Sequence, residues 1–156
     1  MKVKEVKALT YSPFWCANLI PHYLSGCPNN EISFELMFLL LPFVLDRDSR
    51  EILDSSISTS TIYSAFLDGV DGRSSLAGIE ERYIDFKELT RQTLVVAANR
   101  GTIDISVKVS GRKVANYTEE KDTFIREFYK AAKYLGQILS KETTLDLFIK
   151  LGIKEI

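Results

Sequence analysis

The chain has 156 residues, of which 46% are hydrophobic and 26% are charged. A chain of this length buries enough surface to fold without disulfides or a structural metal, and it fits one domain over 1–156. Twenty basic and twenty-one acidic residues leave a formal net charge of -1. This balance excludes a polybasic protein that holds nucleic acid by bulk charge, so any DNA contact must be local.

The compartment is indicated by hydropathy and by the few potential metal ligands. The longest uncharged apolar run, Leu36–Leu45, is shorter than the roughly 20 residues of a membrane span, and no signal-peptide pattern opens the chain. Cys16, Cys27 and the single histidine, His22, are too few for a zinc site. We therefore expect a soluble cytoplasmic protein with reduced cysteines and no cofactor, metal or membrane contact.

The first predicted elements are a short strand and a kinked helix. Lys2–Lys7 alternates apolar and charged residues, which indicates a strand or an extended arm. Ser12 as N-cap and Pro13 as first residue predict a helix over 12–25. Pro21 predicts a kink in it, because proline removes a hydrogen-bond donor and clashes with the preceding turn.

A turn cluster at 26–30 separates this helix from a second, central one. Ser33 is predicted to cap that helix, whose body over 34–45 is apolar nearly all round. Pro42 interrupts its hydrogen-bond ladder. We expect this helix to lie in the core.

Polar and glycine-containing segments follow. Asp48 is predicted to begin a short helix at 49–54, and 55–61 is predicted to be a polar connector. One or two helical turns are expected over Ile62–Leu67. Two glycines and two aspartates in Asp68–Gly72 then predict a loop.

A pair of helices comes next. The first is predicted at 74–84. The second is predicted over 86–100, with Asp85 as its N-cap, Glu88 completing a capping box and Gly101 as its terminator.

A hairpin is predicted directly after this pair. Residues 102–109 alternate apolar and polar side chains as a half-buried strand does, Ser110–Gly111 suits a turn, and Arg112–Tyr117 suits the return strand. A helix pair followed by a hairpin is the order of a winged helix-turn-helix. The helix over 86–100 would take the recognition position, and the hairpin would be the wing.

The chain ends with two predicted helices. Thr118 is expected to begin a long one that reaches Lys141, and Thr143–Lys150 a short one that stops at Gly152. The fold class is therefore mainly α (α+β), a winged helix-turn-helix-like domain with added N- and C-terminal helices. Its parts are the N-terminal helices at 12–54, the helix-turn-helix with wing at 55–118, and the C-terminal helices at 119–156.

Catalytic motifs are missing from the sequence. There is no Gly-x-x-x-x-Gly-Lys-Ser/Thr loop for ATP, and His22 has no Ser or Cys partner at a recognisable spacing. The Asp68–Gly72 stretch lacks the further oxygen ligands of an EF-hand. Asp104 and Lys108 lack the second acid of a metal-dependent nuclease. We expect no catalytic site and a structural role for His22.

Two sets of residues are candidates for macromolecular contacts. The nucleic-acid candidates are basic residues of the predicted recognition helix and wing: Arg91, Lys108, Arg112 and Lys113. The alternative for them is a solvated face. The partner-interface candidates are apolar residues of the two terminal helical regions: Phe14, Trp15, Leu19, Phe124, Phe128 and Leu135. The alternative for these is a core stripe.

Three segments carry a family resemblance that spans nearly the whole chain. They are Ser12–Ala17, the apolar Leu36–Leu45 with Arg50 shortly after it, and Ala131–Gly136 followed by Leu151–Ile153. In these segments the chain resembles the middle component of three-component ABC systems, small subunits of bacterial anti-phage modules that include the Lamassu type. The family pattern begins with Asn-Pro where this chain has Ser12-Pro13.

This resemblance implies a non-enzymatic, kleisin-like adaptor. It would bind an SMC- or Rad50-like ABC ATPase and couple the DNA-sensing state of that ATPase to an effector, often a nuclease. DNA contact within the complex is compatible with this role. The alternative from the residues alone is a free-standing winged-helix DNA-binding regulator, and an enzyme ranks third. A regulator should dimerise and bind a palindrome with a steep salt dependence.

Overall fold

The computed structural model of the chain describes residues 11–154. It is mostly helical with one small antiparallel sheet, which confirms the predicted mainly α (α+β) class. The strand or arm predicted at Lys2–Lys7 lies outside the described residues. The winged-helix arrangement stays a prediction.

The elements follow one another with short connections. The helices are α1 (Pro13–Cys16), α2 (Leu19–Ser25), α3 (Leu40–Val44), α4 (Arg47–Asp54), α5 (Val70–Ser75), α6 (Ile79–Asp85), α7 (Lys87–Asn99), α8 (Thr123–Leu139) and α9 (Thr144–Leu151). The strands are β1 (Glu31–Ser33), β2 (Ile103–Ile105) and β3 (Lys108–Gly111). Short 3-10 segments lie at Pro28–Asn30, Phe34–Leu39 and Tyr117–Glu119, and a π-helical turn at Tyr63–Leu67.

Prolines decide where the N-terminal helices break. The helix predicted over 12–25 is divided into α1 and α2, so the prediction of a kink at Pro21 itself was wrong. Pro21 is the third residue of α2, where a helix needs no N–H donor, whereas a continuous helix would press its ring against the Ala17 carbonyl. Pro42 is likewise the third residue of α3. The helix predicted over 34–45 therefore consists of a 3-10 segment and α3.

The sheet has the strand order β1-β3-β2, with both pairs antiparallel. The strand β1 was not predicted from the sequence, and the predicted turn of the hairpin was wrong. The turn lies at Ser106–Val107 instead of Ser110–Gly111, and 112–117 contains no strand. Burial explains the register, because Val109 of the central strand is fully buried between Ile32 and Ile105.

Glycines explain the helices around the predicted loop at 68–72. The loop prediction was wrong, because α5 begins at Val70. A Cβ at Gly72 would stand 2.6 Å from the Ala65 carbonyl oxygen, so glycine allows α5 to pack against the π-helical turn. Gly78, with φ of +77°, separates α5 from α6 where one helix was predicted over 74–84.

Two N-caps differ from the predicted ones. Asp46 caps α4 by accepting a hydrogen bond from the Ser49 amide at 3.1 Å, so Asp48 lies inside the first turn. Asp122 caps α8, whereas Thr118 lies in a 3-10 turn before it. In each pair the residue with extended backbone is the cap, as capping geometry requires.

The helix α7 keeps its predicted end but not its predicted start. Asp85 is the last residue of α6, and Phe86 occupies the cap position without a side-chain hydrogen bond, so the capping box with Glu88 was wrong. The end at Gly101 is confirmed by a φ of +74°. The final helix is confirmed at both ends by the Thr143 cap and by Gly152, with φ of +71°.

The helix α8 is the centre of the core, which draws residues from all three predicted parts of the chain. Its closest neighbour is α2. A Cβ at Gly136 would lie 2.0 Å from the Tyr23 carbonyl oxygen, and one at Gly26 would lie 1.9 Å from the Lys133 carbonyl oxygen. Two glycines therefore allow the two backbones to touch. Nearer the start of α8, the Phe128 ring packs edge-on against Trp15, with 5.1 Å between the ring centres.

We predict that Gly136→Ala destabilises the protein by about 1–3 kcal/mol or more, because its methyl group cannot fit against the backbone of α2. Urea unfolding followed by circular dichroism measures this free energy. Gly69→Ala is the control, since a Cβ there meets nothing within 4 Å. It should cost less than about 1 kcal/mol. Equal losses in the two variants would contradict the close helix crossing.

Candidate functional site

The four candidate nucleic-acid residues do not converge on the hairpin turn. Only Lys108 lies next to it, whereas Arg112 and Lys113 follow β3 at the opposite end of the sheet and Arg91 lies on α7. The turn is also tethered, because the Phe34 amide donates a 3.0 Å hydrogen bond to the Val107 carbonyl. The four cations therefore do not form one basic cluster at the tip of the hairpin.

Acidic neighbours accompany three of these cations. Arg91 lies 3.4 Å from Glu88, Lys108 lies 3.4 Å from Glu31, and Arg112 lies 3.0 Å from Asp104. The last pair shares two hydrogen bonds, which lower the pKa of Asp104 and raise that of Arg112. Both partners are exposed, so the pair stabilises the fold little. Lys113 has no acidic partner within residues 11–154.

Arg91 also borders, together with Lys87, a groove that was not predicted from the sequence. We name it the aromatic–basic groove. It encloses about 320 Å³ between the 3-10 segment, α6 and α7, and it is lined by Phe34, Glu35, Phe38, Tyr83, Lys87 and Arg91. Three aromatic side chains and two cations thus meet in one concave surface.

The floor of this groove is fixed by neighbouring side chains. The Tyr83 ring is buried and packs edge-on against Phe148 at 5.6 Å. The preceding residue, Arg82, donates hydrogen bonds to the carbonyls of Pro42, Ser75 and Ala77 at 2.8–3.1 Å. These bonds hold α6 against α3 and the end of α5, and so support the position of Tyr83.

The walls of the groove are partly accessible. The Phe34 and Phe38 rings are half-buried and lie 5.5 Å apart in an edge-to-face arrangement. On the opposite side the Lys87 ammonium lies 5.0 Å from the centre of the Tyr83 ring, which is a cation–π distance. The arrangement combines apolar faces with a few charged groups, as ligand-binding sites commonly do.

The six candidate interface residues are divided between core and surface. Trp15, Leu19, Phe128 and Leu135 are buried and therefore cannot reach a partner in this fold. Phe14 and Phe124 are 64% and 44% exposed. They are the members of the set that a partner could contact. The apolar spacing on α8 is thus mainly a core stripe.

The thiols and the imidazole are buried rather than activated. Burial raises the pKa of both Cys16 and Cys27 to about 12, and the Cys27 thiol donates to the Tyr23 carbonyl at 3.3 Å. Burial also lowers the pKa of His22 from 6.5 to about 4. The imidazole stacks on the Tyr129 ring at 4.1 Å. These surroundings suit packing and do not suit nucleophilic or general-base chemistry.

Further structural features bear on ligands and membranes. Within residues 11–154, no three His, Cys, Asp or Glu side chains are grouped so that they could hold a metal ion. In the same part of the chain, every helix is too short or too polar to cross a membrane.

Comparison with known protein families identifies a family for the chain. A family model described as ABC-three component (ABC-3C) system Middle Component 3 matches residues 2–155. No curated protein and no solved structure matches the chain.

We predict that His22 makes stability fall as the pH drops from 6.5 towards 4. Its pKa is about 4 in the fold and 6.5 in the unfolded chain, so in this window the unfolded state binds the additional proton. Above pH 6.5 the imidazole is neutral in both states and this loss disappears. Urea unfolding at a series of pH values measures the dependence.

The matched control is His22→Phe, which keeps a ring against Tyr129 and does not titrate. The difference between the two proteins isolates His22 from the carboxylates, which titrate in both. Parallel pH curves for the two proteins would show that His22 is accessible to water and not buried in its neutral form.

Proposed function

Because the chain belongs to the Middle Component 3 family of ABC three-component systems, we propose that it is a non-enzymatic, kleisin-like adaptor that links an ABC ATPase to an effector. The ATPase would be of the SMC or Rad50 type, and the effector a protein such as a nuclease in anti-phage defence of the Lamassu kind. The family match over nearly the whole chain carries this proposal. By its description, the family is one component of a three-component system.

The chemistry of the described residues supports a role without catalysis. Both thiols and the imidazole are held in their neutral forms by burial. In the sheet and beside it, Asp104 pairs with Arg112, and Lys108 pairs with Glu31. These charged groups are thus partnered by one another. The chain would therefore act by binding, in the cytoplasm where its cysteines stay reduced.

We propose that the ATPase docks on the exposed aromatic side chains of the two terminal helical regions. Phe14 lies on α1, directly before the buried Trp15, and Phe124 is the second residue of α8, with its ring 5.2 Å from Phe128. Trp15 and Phe128 are in contact, so the aromatic cluster links the two positions through the core. Exposed aromatic residues with buried support are frequent anchors of protein interfaces.

We predict that Phe14→Asp abolishes co-purification of the chain with the ATPase expressed from the same gene cluster. Loss of an aromatic anchor commonly costs about 2 kcal/mol or more of binding free energy, and an aspartate in an apolar interface adds a desolvation cost. Affinity purification of the assembled complex measures the effect. Circular dichroism should show an unchanged helical spectrum, because the side chain is 64% exposed.

The matched control is Val70→Asp, which places the same charge at a position that is 81% exposed and outside the candidate interface. It should leave co-purification intact. A wild-type chain that purifies as a symmetric dimer without any ATPase, and binds a palindromic duplex, would instead support a free-standing regulator.

We also propose that α7 and the β2–β3 hairpin correspond to the recognition helix and wing of a winged-helix domain, and that they contact DNA within the complex. Three of the four candidate cations have acidic partners, so the contact should be weak and electrostatic. This fits a chain that shares DNA with a larger ATPase.

We predict that reversing Lys108, Arg112 and Lys113 to Glu weakens DNA binding by the assembled complex. The slope of log affinity against log salt should fall by about one unit for each phosphate group that the variant no longer neutralises. Fluorescence anisotropy at several salt concentrations measures this slope. An unchanged slope would place DNA on the other components.

A further inference from the structure

We propose that the aromatic–basic groove binds one unpaired nucleotide, with its base against the aromatic side chains and its phosphate on Lys87 and Arg91. The groove encloses about 320 Å³. That volume is at the lower end of small-ligand sites, which begin at about 300 Å³. A single nucleotide fits a volume of this order.

The aromatic wall provides the surface on which a base can stack. Phe34 and Phe38 are half-buried, so part of each ring faces the groove while the rest is held by the core. Tyr83 closes the floor, fixed by its packing on Phe148. Because every base has a flat π face, such rings bind bases with little sequence preference.

The cationic wall provides the phosphate contact. Lys87 and Arg91 are four residues apart on α7, so their side chains lie on the same face of the helix. Lys87 has no acidic partner within residues 11–154. Arg91 pairs only loosely with Glu88, at 3.4 Å and with side chains that are 59% and 70% exposed. A phosphate can therefore replace Glu88 at little cost.

Glu35 makes the groove selective for a nucleotide over a uniformly anionic chain. Its carboxylate is exposed at the groove and would repel a polyanion, whereas it can accept a hydrogen bond from a base amino group or a sugar hydroxyl. A ligand that carries both a phosphate and hydrogen-bond donors matches the cations and the carboxylate that line the groove. Adenine and cytosine carry such amino groups, and thymine does not.

The bound nucleotide can come from two sources. It can be a free nucleotide or the unpaired end of a DNA strand. The hairpin turn adjoins the groove through the hydrogen bond from the Phe34 amide to the Val107 carbonyl, and Lys108 follows that turn. A strand end could thus continue past the groove towards the sheet. The proposal does not depend on the adaptor function, because it requires only the described fold.

The test is titration of the purified full-length chain with deoxyadenosine monophosphate and, separately, with a short oligodeoxyadenylate. Isothermal titration calorimetry gives the affinities, and NMR shifts of the aromatic resonances locate the site. We expect Phe38→Leu, which keeps apolar volume but removes the ring, to weaken binding about five- to 150-fold. Lys87→Gln should weaken it about tenfold.

Lys121→Gln is the matched control, because it removes an exposed lysine outside the groove and should leave the affinity unchanged. Circular dichroism checks that each variant is folded. Glu35→Gln should weaken binding of deoxyadenosine monophosphate more than binding of thymidine monophosphate, which has no base amino group.

Each result bears on the proposal. Binding of the mononucleotide that both groove variants weaken supports a free nucleotide as the source, and binding of the oligonucleotide alone with the same sensitivity supports a strand end. Failure of both ligands to bind, or equal binding by the groove variants and wild type, overturns it. Displacement of the ligand by polyglutamate at the same charge concentration also overturns it, since the groove would then respond to charge alone. Co-purification with the ATPase tests the adaptor proposal separately.

Discussion

The fold depends on the crossing of α2 and α8, where two backbones touch at Gly26 and Gly136. Any side chain at either position would overlap a carbonyl of the opposite helix. Close approach also places the Cys27 thiol 3.3 Å from the Tyr23 carbonyl and 3.5 Å from the Gly136 carbonyl, so a buried thiol donates to polar groups of both helices in the core. Because α8 also packs against α3 and α4, displacement at this crossing would propagate through the core.

The sheet is joined to this crossing by the segment that follows α2. Asn29 and Asn30 both have positive φ, near 58° and 56°, which reverses the chain so that β1 can pair with β3. The Asn30 side chain then donates to the carbonyls of Gly111 and Lys113 at 3.1 and 3.2 Å. The strained turn at Asn29 and Asn30 therefore sets the register of β1 against β3. The long-range hydrogen bonds of Asn30 offset this strain.

Local signals in the sequence predicted the elements that are stabilised locally. The ends of α7 and α9 at Gly101 and Gly152 follow from left-handed backbone, and the existence of α8 follows from apolar spacing. The elements that were missed or predicted wrongly depend on partners distant in sequence. The strand β1 is formed only by pairing with β3, and α5 begins at Val70 because Gly72 packs on the backbone of the π-helical turn.

The same distinction separates the predicted site residues from the aromatic–basic groove. Lys87 and Arg91 are visible as one face of a helix, but nothing in the sequence brings that face to Phe34, which lies more than fifty residues earlier. Pro42 and Arg82 determine which segment lies beside this helix face. The proline shortens α3 and leaves the preceding segment as a 3-10 turn, and the arginine donates to the Pro42 carbonyl and so aligns α6 with α3. Pro42 and Arg82 act on the backbone, and through it they bring the side chains of the groove together. The groove therefore cannot be predicted from the order of side chains along the chain.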